Sequence, residues 1–237
     1  ILEMPMEKNE LLSIIKGAKP VDKESFIMER CGGKKVLDLG CVRHSADFAL
    51  NDPAWLHKKI KSVAGRVIGV DYLSDEVKKL NSSGYEIITA DVTRPLPVKE
   101  EFDVIVAGDL IEHLTNFEGF FENCRTLLKA GGLLVITTPN PFYSDEYDFV
   151  TFKKRYLINP EHTCWIDPQA LSQLAMRFDF EIDELHFIKN TWKLKDMICE
   201  SEDNEFDILN GRWGNDSFSR KAKRKILGMV FNFFHAP

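Results

Sequence analysis

The stretch Lys35-Val36-Leu37-Asp38-Leu39-Gly40-Cys41-Val42-Arg43-His44 decides the fold. A short apolar run breaks off at an acid and a glycine. The same design recurs in Val67-Ile68-Gly69-Val70-Asp71 and in Tyr85-Glu86-Ile87-Ile88-Thr89-Ala90-Asp91. Two further runs are Phe102-Asp103-Val104-Ile105-Val106-Ala107 and Leu133-Leu134-Val135-Ile136-Thr137-Thr138. Short runs rich in Val and Ile suit strands covered on both faces of a parallel sheet. Helical patterns lie between several of them. Asn51-Asp52-Pro53 reads as the cap and first-turn proline of a helix through about Val63, and Ser74-Asp75-Glu76 as the start of one through about Leu80. Thr115 or Asn116 starts a helix to about Lys129 that Gly131 stops, and Asp167-Pro168 starts one to about Arg177. Phe180–Ile188 reads as a sixth strand, and Ile226–Phe234 as either a last strand or an amphipathic helix. Such alternation predicts a doubly wound α/β fold.

Composition bounds what this fold can serve. The 237 residues suffice for one domain with decorations. We read residues 1–33 as a helical lead-in, 34–190 as the core with a substrate-covering insertion around 140–167, and 191–237 as an extension that is a candidate to complete the sheet. With 44% hydrophobic residues the chain is too apolar to be disordered, and a net charge of −6 argues against wholesale nucleic-acid binding. No apolar run reaches the roughly 18 residues of a membrane span. The opening ILEMPMEKNE lacks a signal-peptide pattern. The cysteines (Cys31, Cys41, Cys124, Cys164 and Cys199) are scattered, with no CxxC, which opposes a disulfide framework or a zinc site and fits a reducing compartment. Together these features lead us to expect a cytoplasmic protein.

Open α/β sheets bind ligands beyond the carboxyl ends of their strands, where the strand order reverses. Here those ends carry Asp38-Leu39-Gly40-Cys41, then Asp71, then Asp91-Val92, then Gly108-Asp109-Leu110-Ile111-Glu112-His113. One acid can accept both hydroxyls of a ribose, and another an adenine amino group. Gly40 lets a ligand approach the backbone. A single acid in such a place is ordinarily a helix cap. Three on successive strands describe a site for an adenosine-bearing cofactor.

In their order, VLDLGC, VIGVD, ITADV, FDVIVAGDLIEHL and LLKAGGLLVITTPNP resemble the motifs of class I S-adenosylmethionine-dependent methyltransferases, over about residues 34–188. The subgroup resembles the small "type 11" enzymes related to those of quinone biosynthesis. The segment 159–168 is similar to one in prokaryotic members found among cell-surface polysaccharide genes. The resemblance implies a Rossmann-like, seven-stranded, mostly parallel sheet and S-adenosylmethionine as cofactor. It implies that Asp38, Gly40 and Cys41 lie by the methionine part, that Asp71 binds the ribose and Tyr72 flanks the adenine. It further implies that Asp91 meets the adenine amino group with Val92 beside the ring, and that Gly108 and Asp109 line the floor near the sulfonium. The sequence departs from the pattern D-x-G-x-G-x-G: Val42 and His44 replace the second and third glycines. Two readings follow. Either a longer loop binds the cofactor in a modified way, with Arg43 or His44 at its carboxylate, or the fold survives as a binding scaffold.

For the reaction, an oxygen nucleophile benefits from a general base, most often histidine. His113 is the first candidate and His162 the second, each weighed against a purely structural role. Asp109, Glu112, His113 and His162 also resemble the metal cluster of some quinone and RNA 3′-end methyltransferases, although similar triplets occur in members without metal, and we assign no metal ligand. Aromatics Phe142, Tyr143, Tyr147, Phe149, Phe152 and Tyr156, interleaved with Lys153, Lys154 and Arg155, read as a lid or as an ordinary helix. Arg220, Lys221, Lys223, Arg224 and Lys225 read as a solvated face or as a contact with an anionic membrane surface. The expected reaction is O-methylation of a small molecule or a surface-glycan precursor. The alternative acceptor is an RNA 3′ end, used with a divalent metal.

Overall fold

Side chains alternate along a strand, and this alternation splits the core into two layers. The computed structural model describes residues 8–142, 150–152, 159–189 and 226–235. On one face of the sheet, Val36, Val67, Val104, Val106 and Val135 pack with Phe26, Ile27, Cys31 and Ile60. Those partners come from helices α2 (Lys23–Cys31) and α4 (Leu56–Val63). On the other face Leu37, Leu39, Ile105, Ala107, Leu134 and Ile136 meet Phe120, Phe121, Leu127 and Leu171. These belong to α6 (Phe117–Leu127) and α7 (Pro168–Arg177). Further helices among the described residues are α1 (Lys8–Gly17), α3 (Ala46–Asn51) and α5 (Ser74–Ser82).

The strands are β1 (Pro20–Val21), β2 (Lys35–Leu39), β3 (Arg66–Asp71), β4 (Ile87–Thr89), β5 (Phe102–Gly108), β6 (Leu128–Pro139), β7 (Phe180–Lys189) and β8 (Ile226–His235). They form one eight-stranded sheet in the order β1-β7-β8-β6-β5-β2-β3-β4. Every pairing is parallel except those of β8, which runs antiparallel to both β6 and β7. The order reverses between β2 and β5, so the carboxyl ends of these two neighbours mark the ligand crevice. The seven expected strands are all present. The eighth is the two-residue β1, so the N-terminal segment, read as purely helical, also supplies an edge strand. Ile226–His235 is a strand and not an amphipathic helix, because it has two strand neighbours to pair with.

Several boundaries differ from the sequence reading. The single helix expected from Asn51 to Val63 is two, α3 and α4, with Asp52 and Pro53 between them. Pro53 has no N–H to continue a helix. Ser45 caps α3 by accepting from Phe48 N, so the loop after β2 is shorter than expected. Helix α5 begins after Leu73 with no side-chain cap, and Ser74 is already inside it. Helix α6 is capped by Asn116 and passes into β6 at Leu128, with no stop at Gly131. Gly131 instead lies within β6, three residues after its first, with φ +70°. Most of the proposed lid (Tyr143, Tyr147, Phe149, Lys153, Lys154, Arg155 and Tyr156) and the basic stretch Arg220–Lys225 lie outside the described residues. Among the described residues, no helix is long and apolar enough to cross a membrane.

Candidate active site

Two non-glycine residues beside the crevice have left-handed backbones: His44 (φ 58°), after β2, and Asp109 (φ 51°), after β5. Such conformations cost about 1–3 kcal/mol and concentrate at functional sites. They flank the β2/β5 reversal.

On the β2–β3–β4 side the loop after β2 is fastened throughout. Gly40 (φ 69°) turns the chain, and its amide donates to Val70 O at 2.8 Å. Trp55 Nε1 donates to Cys41 O at 2.7 Å, and Val42 N to Asp71 Oδ2 at 2.9 Å. Ala46 N donates to Glu76 Oε2 at 2.7 Å, and Arg43 pairs with Asp52. Val42 and His44 therefore do not break the turn. His44 keeps the positive φ that a glycine would favour, and its ring meets Phe48 edge-on. Arg43, one of the two candidates for a cofactor carboxylate, is paired with Asp52 and also lies over the Phe48 ring.

Asp38 is the main surprise on this side. The structure buries its carboxylate on the α4 face, where Oδ2 meets His57 Nδ1 at 2.8 Å, instead of displaying it at the strand ends. Gly69, opposite Asp38 on β3, makes room for the pair. A Cβ there would lie 2.5 Å from Cys41 Sγ and 3.0 Å from His57 Cε1. His57 was not singled out in the sequence, because nothing local shows that α4 lays it across β2. Cys41 is buried as well. Desolvation, then the charges of Asp38 and Asp71, push its thiol well above the usual range and leave it inert.

Asp71 lies at the crevice, accepting from Val42 N on one oxygen and Leu73 N at 3.1 Å on the other. Each oxygen keeps lone-pair capacity for one more donor, as two ribose hydroxyls require. Burial raises its pKa, against the backbone amides that stabilise its charge. Tyr72, the next residue, is 74% exposed, a large ring standing free at a strand end. Asp91 is exposed and accepts from Thr93 N and Thr93 Oγ1, whose hydrogen bonds hold it below the usual carboxylate range. Val92 packs into the core beneath it. Gly108 packs closely, since a Cβ there would come within 2.9 Å of Leu56 Cδ2 and the leucine side chain would have to shift. These features fit a bound adenosine group: paired acceptor oxygens, an open aromatic face, a second acid one strand further out and a close-packed glycine floor.

The β5–β6 side is built differently. Asp109 N donates to Thr137 O and Thr137 Oγ1, both at 3.0 Å, and its Oδ1 accepts from Thr137 Oγ1 at 2.7 Å. Its Oδ2 pairs with Lys23, from the start of α2. Desolvation opposes charge here, but Lys23 and Thr137 prevail and hold Asp109 below its usual range. A 3₁₀ turn, Ile111–His113, follows. It carries Glu112, which is 1% exposed and has no hydrogen-bond partner for either carboxylate oxygen among the described residues. Burial, then the charge of Asp109, raises Glu112 to about 8. The Thr138 hydroxyl opposes that shift without making a bond of normal geometry.

His162 arrives from far along the chain. Thr163 docks its segment onto the turn: Thr163 N donates to Glu112 O at 2.8 Å, and Thr163 Oγ1 donates to Leu114 O at 2.9 Å. The His113 and His162 rings then meet edge-on, 4.7 Å between centroids, and His162 Nε2 stands 4.0 Å from Glu112 Oε1. Burial and the neighbouring His113 lower the His162 pKa. Ligand atoms of Glu112, His113 and His162 lie within 4.8 Å of one another. Thr163 falls within the segment 159–168, where nothing local gives it a role, because its partners are backbone carbonyls about 50 residues away.

The chain matches the family model described as a methyltransferase domain over residues 21–185. It is 28% identical over 190 residues to the ubiquinone biosynthesis O-methyltransferase of Glaesserella parasuis serovar 5, covering 70% of this chain and 76% of that protein. It is 29% identical over 163 residues to a "probable S-adenosylmethionine-dependent methyltransferase" of Mycolicibacterium smegmatis, covering 67% of this chain and only 56% of that relative. The fold is shared with a crystal structure of an S-adenosylmethionine-dependent methyltransferase from Archaeoglobus fulgidus, with a TM-score of 0.53 at 19% identity, covering 89% of this chain and 90% of that one. With that match across the core, the chain belongs to the class I S-adenosylmethionine-dependent methyltransferases, and its cofactor is S-adenosylmethionine.

Proposed function

We propose that the protein methylates an oxygen of a small molecule, in the chemical range of phenols and surface-glycan precursors. The observation that carries this reading is the Glu112–His113–His162 cluster: a buried carboxyl without a hydrogen-bond partner among the described residues, facing two imidazoles, beside the cofactor crevice. On this reading Asp71 holds the ribose, Tyr72 flanks the adenine, Asp91 meets the amino group, and the loop Gly40–Cys41 with Gly108 and Asp109 bounds the methionine end. Bound there, S-adenosylmethionine supplies an electrophilic methyl on a sulfonium. His113 or His162 accepts the proton of the acceptor hydroxyl, and the low pKa of His162 keeps it neutral and ready to do so. Glu112, protonated at neutral pH, orients the pair. Positioning of the two reactants supplies much of the rest. The name of the Glaesserella relative, an O-methyltransferase, supports the choice of oxygen.

A second reading, methylation of an RNA 3′ end with a divalent ion, has one observation in its favour. Glu112, His113 and His162 offer one carboxylate oxygen and two ring nitrogens within 4.8 Å of each other. The net charge of −6 counts against it.

The test combines calorimetry with S-adenosylhomocysteine and methyl transfer from labelled S-adenosylmethionine to a panel of phenols and sugar nucleotides. Asp71→Ala is expected to weaken cofactor binding at least about tenfold, since hydrogen bonds to a charged acceptor are worth roughly 1.5–3 kcal/mol each. His113→Ala is expected to leave that affinity intact and lower turnover about 10²–10⁴-fold. Full affinity in a folded Asp71→Ala protein means the cofactor site is misplaced. A fully active His113→Ala protein reduces His113 to a structural residue.

A further inference from the structure

Lys23 sits outside the strand-end motifs, yet it reaches the centre of the acceptor side. Strand β1 pairs parallel with the end of β7 (Val21 opposite Ile188), so the chain emerges at the carboxyl edge of the sheet and α2 begins there. Asp22 caps α2 by accepting from Ser25 N at 2.8 Å, and Phe26, Ile27 and Cys31 anchor the helix in the core. The first turn is thus fixed in place, and Lys23, its first residue, ion-pairs with Asp109 across 86 residues of sequence. The pair is not deeply buried, with the side chain of Lys23 25% exposed and that of Asp109 49% exposed. It is open to an incoming molecule.

The consequence lies in what Asp109 does not join. Asp109, Glu112, His113 and His162 together are the material of a four-ligand cation site. In the structure only the last three come within 4.8 Å of one another. Asp109 is turned aside, one oxygen on the Thr137 hydroxyl and the other on the Lys23 ammonium. A single positive charge, covalently part of the protein, therefore neutralises the carboxylate a divalent ion would recruit.

We propose that Lys23 is the resident cation of the acceptor side: by holding Asp109 out of the Glu112–His113–His162 cluster it sets that cluster to work on protons without a metal. Lys23 is a positioning residue, acting through Asp109. The inference rests on the placement of the acceptor side given above, and it bears directly on the choice between the two readings there.

The experiment is titration of the full chain with Mn²⁺ alone, read by electron paramagnetic resonance. Wild type is compared with Lys23→Met, Lys23→Arg and the double variant Lys23→Met with Asp109→Asn. Affinity for a hard cation follows the number and charge of its oxygen ligands. Lys23→Met is expected to bind Mn²⁺ about tenfold or more tightly than wild type, because Asp109 becomes free to join. Lys23→Arg is expected to behave as wild type, and the double variant to return to wild-type affinity. Lys23→Gln replaces the Met variant if the latter does not fold. Equal Mn²⁺ affinity in wild type and Lys23→Met overturns the proposal, as does a gain that persists in the double variant. S-adenosylhomocysteine affinity, measured on the same samples, tests the cofactor site separately. Its absence in wild type sinks the proposed function whatever Mn²⁺ does.

Discussion

Two buried carboxylates face histidines in this protein, on opposite sides of the strand-order reversal, and they are treated in opposite ways. Asp38, on the cofactor side, is closed. Its Oδ2 meets His57 Nδ1 at 2.8 Å, the ring lies against Trp55 and Tyr85, and Gly69 is small so that the pair fits. Glu112, on the acceptor side, is open. It is just as buried, but His162 stops 4.0 Å away and, among the described residues, no hydrogen bond of normal geometry reaches either oxygen. Leaving a buried polar group unpaired costs about 1–3 kcal/mol; among the described residues the closed pair leaves only the far ring nitrogen of His57, Nε2, without a partner, whereas both oxygens of Glu112 go without. The contrast separates a carboxylate that builds the site from one that works in it. The other acids of the cofactor side follow Asp38. Asp71 and Asp91 each bind nearby backbone amides, which fixes their oxygens before any ligand arrives.

The comparison can be broken at several points. The largest effect is expected at the closed pair. Asp38→Ala leaves the His57 Nδ1 atom without its partner in a dry site and empties the space beside it, and is predicted to cost about 2–4 kcal/mol in urea unfolding. A loss below about 1 kcal/mol would mean the pair does not hold the loop. At the open site the prediction concerns pH. Glu112 has a folded pKa of about 8 against an ordinary value of 4.5. Between these values the unfolded chain has released the proton and the folded protein still holds it. Stability therefore falls as pH rises through that window and levels off above it. Glu112→Gln removes the dependence. Relative to wild type it is expected to gain on the order of 2–3 kcal/mol between pH 5 and pH 8, measured by thermal or urea unfolding at both pH values. Parallel pH profiles for the two proteins would show that Glu112 is paired in solution. The smallest effect is expected at His44. A glycine relieves the left-handed backbone but adds unfolded-state freedom and loses the Phe48 contact. His44→Gly is predicted to change stability by less than about 1 kcal/mol and to leave cofactor affinity nearly unchanged. A large loss of affinity would place the His44 ring on the cofactor.

Much of this molecule was legible residue by residue. Runs such as Val67–Asp71 gave the strands because burial on both faces leaves little choice but Val, Ile and Leu. The acids at Asp71 and Asp91 were legible for a related reason, since Asp71 ends its strand, Asp91 lies two residues past its own, and each binds donors within a few residues or at a neighbouring strand end. Helix boundaries were less so. Pro53 suits either a first turn or a break, and only packing of α3 against α5 and of α4 against α2 selected the break. The tail Ile226–His235 was undecided for want of a period, and two open strand edges, β6 and β7, settled it.

What the sequence by itself determined is the alternating strand–helix order, the acids at successive strand ends and, through them, a site for an adenosine-bearing cofactor, which the motif resemblance then identified as S-adenosylmethionine. These depend on local spacing, which a chain carries in one dimension. Tertiary structure alone decided which charges are used and which are spent. His57 meets Asp38 across 19 residues, Thr163 brings His162 to Glu112 across about 50, and Lys23 takes Asp109 across 86. A carboxylate's behaviour follows from its burial and from the charge beside it. Both are properties of the fold, so the same letter in the sequence became a structural clamp at Asp38, a neutralised anchor at Asp109 and an open acid at Glu112.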